Sequence, residues 1–290
     1  FYRPAVAHRV RVGLTADGQI AGWDHRIAAQ SIMKGTPFEA FTVKDGVDAA
    51  SVEGVADTPY AIPGMYTGLS DIAKATPVLW WRSVGHTHTG YVMETMMDQA
   101  AKAAGMDPLA FRLAHLPGDT PEQKRMAGVL SAVAKAAGWG SVPEGRSRGI
   151  AAHHSFGSYV AEVVEISGNA TDGVQIEKVW AAADCGIPVN PDVIRAQLEG
   201  GIGYGLGAVM RNAITLDGGR VEQSNFPDYE PLRMPDIKAI EVQVLPSAEP
   251  PSGIGEPGVP PAGPALANAL AVLGDLVTEL PMAANGVSFA

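Results

Sequence analysis

The sequence predicts an α+β fold, with mixed sheets and packed helices. Strand-like and helix-like segments occur in runs, without the strict alternation of an α/β protein and without a fixed-period repeat. Hydrophobic residues make up 46% of the 290 residues and charged residues only 18%, which excludes a disordered chain. The 34 glycines and 22 prolines favour a turn-rich fold over a helical bundle.

Charge and cysteine content exclude several classes of protein. The net charge is −10, and Lys and Arg do not cluster, so the sequence predicts no nucleic-acid partner. Cys185 is the single cysteine, whereas an iron–sulfur cluster needs about four thiolates. Any electron relay is therefore expected on another chain. No run of about 18 apolar residues occurs, so no membrane span is predicted.

Residues 1–145 are predicted to form an N-terminal α+β segment. A hairpin pairs residues 8–14 with 20–27 across an Asp-Gly turn at 16–18. Residues 31–77 contain four prolines and little periodicity, which predicts a long irregular stretch.

Three helices follow within that segment, between residues 90 and 137. The first covers about 90–104 and ends at Gly105. Asp107 is the predicted N-cap of the second, which continues to Leu116. Thr120 begins the third, with Gln123 placed to complete a capping box, and Gly138 ends it. A polar linker over 140–149 marks the boundary.

Residues 146–290 are predicted to form a C-terminal α+β domain. Its strands cover 159–166, 174–182, about 209–216, 220–223 and 239–245. A helix begins at Asn190-Pro191 and runs into the glycine-rich segment 200–207, and a closing helix covers 264–273.

The segment Gly253–Pro261 holds one carboxylate, Glu256, among glycines and prolines. A stiff loop of this kind can desolvate its acid, which makes Glu256 a candidate general base. A solvated Glu in a proline-rich turn is the alternative.

The glycine-rich segment follows a helix and lacks the Lys of a phosphate loop, which argues against dinucleotide binding. The high glycine content of this segment is explained either by close packing against another helix or by contact with a large flat ligand. Arg82 follows Trp80-Trp81 and either binds an anion or carbonyl or stacks at the rim of the core.

The remaining polar pairs do not indicate a metal site or a catalytic site. His86 and His88 would share one face of an extended segment, and His153 and His154 would not, but neither pair has a third ligand. No metal site is predicted from these side chains. Asp184 and Cys185 are interpreted as structural.

Several segments form a set that is informative in its order along the chain: Trp80–His86, Glu94 with Asp98, Gly105–Leu113, Asp184-Cys185-Gly186, Asn190-Pro191, Gln197 with Gly200-Gly201, Gly253–Gly258 and Ala267-Asn268-Ala269. Together they resemble the molybdopterin-binding large subunit of the xanthine dehydrogenase and aldehyde oxidase family. Three further segments resemble the isoquinoline 1-oxidoreductase beta-subunit type: Gly149–Ala151, Ser155–Ser158 and Gln223–Phe226.

This resemblance implies a C-terminal portion of a molybdenum hydroxylase large subunit. Glu256 would be the base in the oxidation of an aldehyde or N-heteroaromatic small molecule, with oxygen from water. Arg82 would lie near the substrate. The residues expected to contact molybdopterin are Gln197, Gly200, Gly201 and Gly255. The alternative is a cofactor-free relative with a binding, assembly or hydrolytic role.

The resemblance also implies missing parts. Family large subunits are longer, so we expect an upstream half of the same subunit to share the cofactor, and a separate iron–sulfur subunit or cytochrome to take the electrons. The start at Phe1, almost directly before a strand, agrees with this expectation. Relatives of the subgroup are often exported, which favours the periplasm over the cytoplasm. Tyr204 replaces a Gln found in many relatives, and Asp275 and Leu276 stand where the subgroup tends to be basic.

Overall fold

The computed structural model describes residues 1–274 and 276–290, so the expectation about Asp275 lies outside the described residues. The strands are β1 (Val6–Leu14), β2 (Ile20–Ala29), β3 (Val43–Lys44), β4 (Val47–Asp48), β5 (Met65–Asp71), β6 (Arg146–Ser155), β7 (Ser158–Asn169), β8 (Gly173–Asp184), β9 (Leu216–Asp217), β10 (Arg220–Val221) and β11 (Ile240–Val244). The helices are α1 (Glu39–Thr42), α2 (His86–Ala104), α3 (Pro108–Ala114), α4 (Pro121–Ala137), α5 (Pro191–Met210) and α6 (Ala262–Ala271). The mixture agrees with the predicted α+β class.

The N-terminal sheet has the order β1-β2-β5. The predicted hairpin is confirmed, with β1 antiparallel to β2. Strand β5 runs parallel to β2 inside the stretch expected to be irregular, so that prediction is wrong over these residues. The segment Met65–Asp71 contains Gly68 and no clear alternation, and its pairing with a strand about 40 residues away leaves no local pattern.

The second sheet has the order β11-β8-β7-β6, antiparallel except for the parallel pair β11–β8. Strands β7, β8 and β11 were predicted. Strand β6 is not predicted, because its first residues lie in the polar segment 140–149, which is typical of a linker. Gly149 lies in β6 where a Cβ atom would collide with the backbone of α6, so this glycine permits close packing of helix on strand.

Local capping signals place the end of α2, the start of α3 and both ends of α4. Asp107 accepts hydrogen bonds from the N–H groups of Leu109 and Ala110, and Thr120 accepts one from Gln123. The predicted capping box is only half formed, since the Gln123 side chain accepts from the N–H of Asp119 rather than from that of Thr120. Helix α2 begins four residues before its predicted start, within a His-Thr run that favours helix poorly.

A buried ion network joins α2 to α3 and β6. Arg112 is fully buried, and its Nε donates to Glu94 Oε2 at 2.8 Å while Nη1 donates to Asp98. Glu94 also accepts from the Ala152 N–H at 2.9 Å and from the Tyr60 hydroxyl at 2.8 Å. These polar groups are satisfied in the core, so the network fixes the elements around it.

The apolar core that contains α4 also includes residues of β1, β2, β7 and β8, on both sides of residue 145. The division of the chain at that point stays a prediction. Helix α5 continues through the glycine-rich segment to Met210, which leaves β9 and β10 shorter than predicted. Among the described residues, no helix is both long and apolar enough to cross a membrane.

Candidate active site

The base loop, Gly253–Pro261, connects the region after β11 to α6. Its first residue is tied to the turn between β6 and β7, because Gly253 donates to the Phe156 carbonyl at 3.1 Å and accepts from the Ser158 hydroxyl at 2.6 Å. Residues 257–261 are buried. Glu256 is half-buried, which lies between the desolvated acid and the solvated acid that the sequence left open, and the loop that carries it is held at both ends.

Glu256 is bound by Ser83 in the turn before α2. The Ser83 N–H donates to Oε1 of Glu256 at 3.1 Å, and the Ser83 hydroxyl donates to the Glu256 carbonyl at 2.8 Å. Hydrogen bonds within the described residues leave the other carboxylate oxygen, Oε2, without a protein donor. The carboxylate is therefore oriented by a main-chain group, and one oxygen remains able to take a proton.

Arg82 brings two other predicted site residues together. Its Nε donates to the Gly255 carbonyl at 3.0 Å, and its Nη2 lies 3.3 Å from Oε1 of Gln197 on α5. The guanidinium carbon lies 5.7 Å from the ring centre of Tyr204. Glu256, Arg82, Gln197 and Gly255 thus form one surface, although 173 residues separate Arg82 from Gly255 in sequence.

Some glycines at this site are in close packing contacts, and others lie on the open surface. A Cβ atom at Gly201 would lie 3.1 Å from Gly258, and one at Gly205 would lie 2.8 Å from the Val259 carbonyl oxygen. A Cβ atom at Gly200 would meet only Arg82 Nη1, at 3.8 Å, and one at Gly255 only Gln197 Oε1, at 3.8 Å. Gly201 therefore packs against the base loop, while Gly200 and Gly255 present bare backbone beside Arg82 and Gln197.

A cleft of about 570 Å³ lies close to this surface. Trp81 lines the cleft and stacks on Tyr204, with ring centres 4.6 Å apart. The guanidinium carbon of Arg3 lies over the Trp81 ring, 4.6 Å from its centre. Glu256, Arg82 and Gln197 are not among the described residues that line the cleft. No sequence pattern indicates this cleft, because its walls come from distant segments.

Four of the histidines form two close pairs, one buried and one partly buried. Helix α2 contains both His86 and His88, so the extended arrangement considered above does not occur. His86 Nδ1 lies 2.9 Å from His153 Nε2, and His88 Nδ1 lies 3.1 Å from His8 Nε2. Burial lowers the pKa of His86 to about 4 and that of His88 to about 3. Within the described ranges, no group of three or more His, Cys, Asp or Glu side chains is arranged to hold a metal ion.

Asp184 and Cys185 have structural environments, as the sequence indicated. Arg125 donates to both Asp184 carboxylate oxygens at 2.8 Å, and Cys185 is a buried free thiol. Burial raises the pKa of that thiol, which disfavours the reactive thiolate.

Sequence reasoning missed the role of Ser83. Ser83 and Val84 both have positive φ values, +73° and +50°, and this backbone conformation directs the Ser83 N–H at Glu256. Non-glycine residues rarely adopt such values, so the residue types themselves carry no signal of this turn.

The fold is that of the large subunits of molybdenum hydroxylases. Quinoline 2-oxidoreductase from Pseudomonas putida 86 superimposes with a TM-score of 0.74 and 14% sequence identity, over 95% of this chain and 61% of that chain. Models of the molybdopterin cofactor-binding domain match residues 2–116 and 89–238. The chain belongs to this molybdopterin cofactor-binding domain family.

Two longer relatives are similar over almost the whole chain. The beta subunit of isoquinoline 1-oxidoreductase from Brevundimonas diminuta is 30% identical, over 97% of this chain and 36% of the relative. A subunit of nicotinate dehydrogenase from Pseudomonas putida is 28% identical, over 95% of this chain and 25% of the relative. The chain thus spans between a quarter and two fifths of the length of these relatives.

The donors on the surface fit the acceptor chemistry of molybdopterin, a pterin that carries a phosphate. Arg82 offers a guanidinium, and the Gln197 amide nitrogen is available because its oxygen faces Arg82. The bare backbone at Gly200 and Gly255 leaves room for a flat group to approach. Gln197, Gly200 and Gly255 are exposed, so these described residues would lie against only one side of such a group.

Proposed function

We propose that this chain is part of a molybdenum hydroxylase that oxidises an aldehyde or N-heteroaromatic substrate with oxygen derived from water. The observation that carries the proposal is the single surface on which a main-chain donor orients Glu256 beside Arg82, Gln197 and Gly255. Membership of the molybdopterin cofactor-binding family supports the assignment of a cofactor to that surface.

Each residue has a defined task in this proposal. Glu256 is the general base, and its free oxygen Oε2 takes the proton while the Ser83 N–H holds Oε1. Arg82 orients a carbonyl or anionic group of the substrate. Gln197, Gly200 and Gly255 bind the cofactor. Gly201, for which the sequence also predicts a cofactor contact, allows α5 to pack on the base loop and so positions these residues. When bound, the cofactor supplies the redox centre that accepts two electrons from the substrate.

The remaining parts of the enzyme are proposed on other chains or segments. Relatives extend well beyond the length of this chain, and an upstream half of the large subunit would cover the other side of the cofactor. One cysteine cannot hold an iron–sulfur cluster, so electrons would pass to a separate iron–sulfur subunit or cytochrome.

The test is an isotope experiment on the purified complete enzyme. Its molybdenum content is measured first, and it is then assayed with an aldehyde and an N-heteroaromatic in H₂¹⁸O. We expect stoichiometric molybdenum and ¹⁸O in the oxidised product of one substrate class. Product oxygen from O₂ contradicts the proposal, and an active protein without molybdenum favours the cofactor-free alternative.

A further inference from the structure

The turn that holds Glu256 is strained. Ser83 and the β-branched Val84 lie in consecutive left-handed conformations, with φ values of +73° and +50°. Such conformations persist only where the surrounding structure fixes them, and they cluster at functional sites. The contacts on both sides of this turn therefore determine where the Ser83 N–H points.

Glu256 binds the start of the turn at Ser83, and Glu53 binds its end at Gly85. Oε1 of Glu53 accepts a hydrogen bond from the Gly85 N–H at 2.7 Å. The segment that contains Glu53 is packed directly against the turn, because a Cβ atom at Gly85 would collide with the carbonyl oxygen of Ala50. Two carboxylates thus hold the two ends of the turn, Glu256 at Ser83 and Glu53 at Gly85.

Gly85 is also the N-cap of α2 and has no side chain with which to cap the helix. The Glu53 carboxylate, 32 residues away in sequence, accepts the N–H of this N-cap residue, as the N3 side chain of a capping box does. An ionised carboxylate at a helix N-terminus is stabilised by the helix dipole, and its hydrogen bond is stronger than that of a neutral acceptor. The charge of Glu53 therefore sets how firmly the turn is held.

The surroundings of Glu53 place its ionisation near neutral pH. The side chain is 27% exposed, and burial, reinforced by the charges of Asp57 and Asp48, raises the pKa of Glu53 to about 7. Oε2 lies 3.7 Å from His86 Nε2. His86 contacts His153 on β6, and burial lowers the pKa of both imidazoles, so neither offers a positive charge to Glu53 at pH 7.

We propose that Glu53 is a positioning residue for Glu256: by accepting from Gly85 it holds the strained Ser83–Val84 turn whose N–H orients the Glu256 carboxylate. Glu53 does not touch the reacting atoms. The inference rests on the proposed role of Glu256 as base, and it adds a control of that base through the turn.

The test uses the complete enzyme with Glu53→Ala, Glu53→Gln and the exposed control Glu144→Gln. Hydrogen–deuterium exchange at residues 82–86 reports the turn without reference to turnover. We expect Glu53→Ala to raise exchange of the Ser83 and Gly85 amides. We also expect it to lower kcat at least about tenfold and to leave KM within about twofold, because the substrate is not contacted. The Glu144→Gln control should match the wild type in amide exchange and in kinetics.

Glu53→Gln keeps an acceptor but cannot ionise, so it imitates protonated Glu53 at every pH. Its kcat should equal that of the wild type at pH 6 and fall below it at pH 8, where the wild-type carboxylate is charged. Unchanged exchange at Ser83 in Glu53→Ala overturns the proposal, as does a Glu53→Gln pH profile parallel to the wild type. An active Glu256→Gln enzyme would instead refute the proposed base, and the exchange result would still decide whether Glu53 holds the turn.

Discussion

Gly201 of α5 and Gly258 of the base loop approach so closely that a Cβ atom at Gly201 would lie 3.1 Å from the Gly258 Cα. The helix that carries Gln197 and the loop that carries Glu256 are therefore in backbone contact. Gly205 continues this contact one turn later, against the Val259 carbonyl. The relative position of the proposed cofactor and base residues thus depends on these glycines.

Substitution of two glycines on α5 should have opposite effects on stability. Gly205→Ala places a Cβ atom 2.8 Å from a backbone oxygen, whereas the nearest atom to a Cβ at Gly203 is a Leu232 methyl group at 4.0 Å. We expect Gly205→Ala to lower the free energy of unfolding by about 1–2 kcal/mol, because overpacking outweighs the better helix propensity of Ala. Gly203→Ala should raise it by up to about 1 kcal/mol. Equal melting temperatures for the two variants would contradict this packing.

Glu256→Gln should abolish most turnover without unfolding the protein. The amide keeps the size of the side chain and an oxygen that accepts from Ser83, but it cannot take a proton. We expect kcat to fall at least about 10²-fold, with an unchanged melting temperature. The exposed Glu222→Gln variant is the matched control. Steady-state kinetics on the complete enzyme decide the point, and near-normal turnover would remove Glu256 from the role of base.

Gln197→Ala should weaken retention of the cofactor more than it affects the fold. Gln197 is exposed and contacts Arg82, so its loss removes a hydrogen-bonding amide from the surface but no core contact. We expect cofactor affinity to fall about tenfold, the effect of about one hydrogen bond. Molybdenum content after dialysis measures this, with the exposed Gln243→Ala as control. Equal metal content in the two variants would place Gln197 outside the site.

Local sequence signals were sufficient for elements that begin and end with their own chemistry. Asp107 and Thr120 cap helices, while Gly105 and Gly138 end them in left-handed conformations, as their sequence positions predict. Strands β7 and β8 were found because a turn with Asn169 and Gly173 separates them. The segments Met65–Asp71 and Arg146–Ser155 were missed because their strand character comes from partners elsewhere in the fold.

In the candidate site, too, local sequence indicates some features, whereas others depend on contacts between distant segments. The composition of the loop around Glu256 and the order of the family-like segments indicate which residues matter. That Arg82, Gln197 and Gly255 share one surface follows from contacts over more than 100 residues of sequence. The function of Ser83 depends on a positive φ that packing imposes, so residue identity alone does not reveal it.

Glu162 provides a test of the sheet on which the base loop and α5 pack. It lies in β7 between Ala151 and Ala181 and is fully buried. Neither carboxylate oxygen has a hydrogen-bond partner among the described residues. Burial raises the pKa of Glu162 well above 4.5, because no nearby group compensates the charged form. The folded protein therefore keeps a proton that the unfolded chain releases.

This proton sets the sign of a pH effect on stability. Below about pH 4 both states hold it, so the acid adds no pH-dependent term. As pH rises above about 4.5 only the unfolded chain ionises, and wild-type stability falls by about 1.4 kcal/mol per pH unit until the folded pKa is reached. Glu162→Gln cannot ionise, and all other acids are shared by the two proteins. We therefore expect the difference in free energy of unfolding, Glu162→Gln minus wild type, to increase steadily from pH 5 to pH 7, as measured by urea titration. A difference that stays constant over this range would show that Glu162 is charged or solvated in the folded protein.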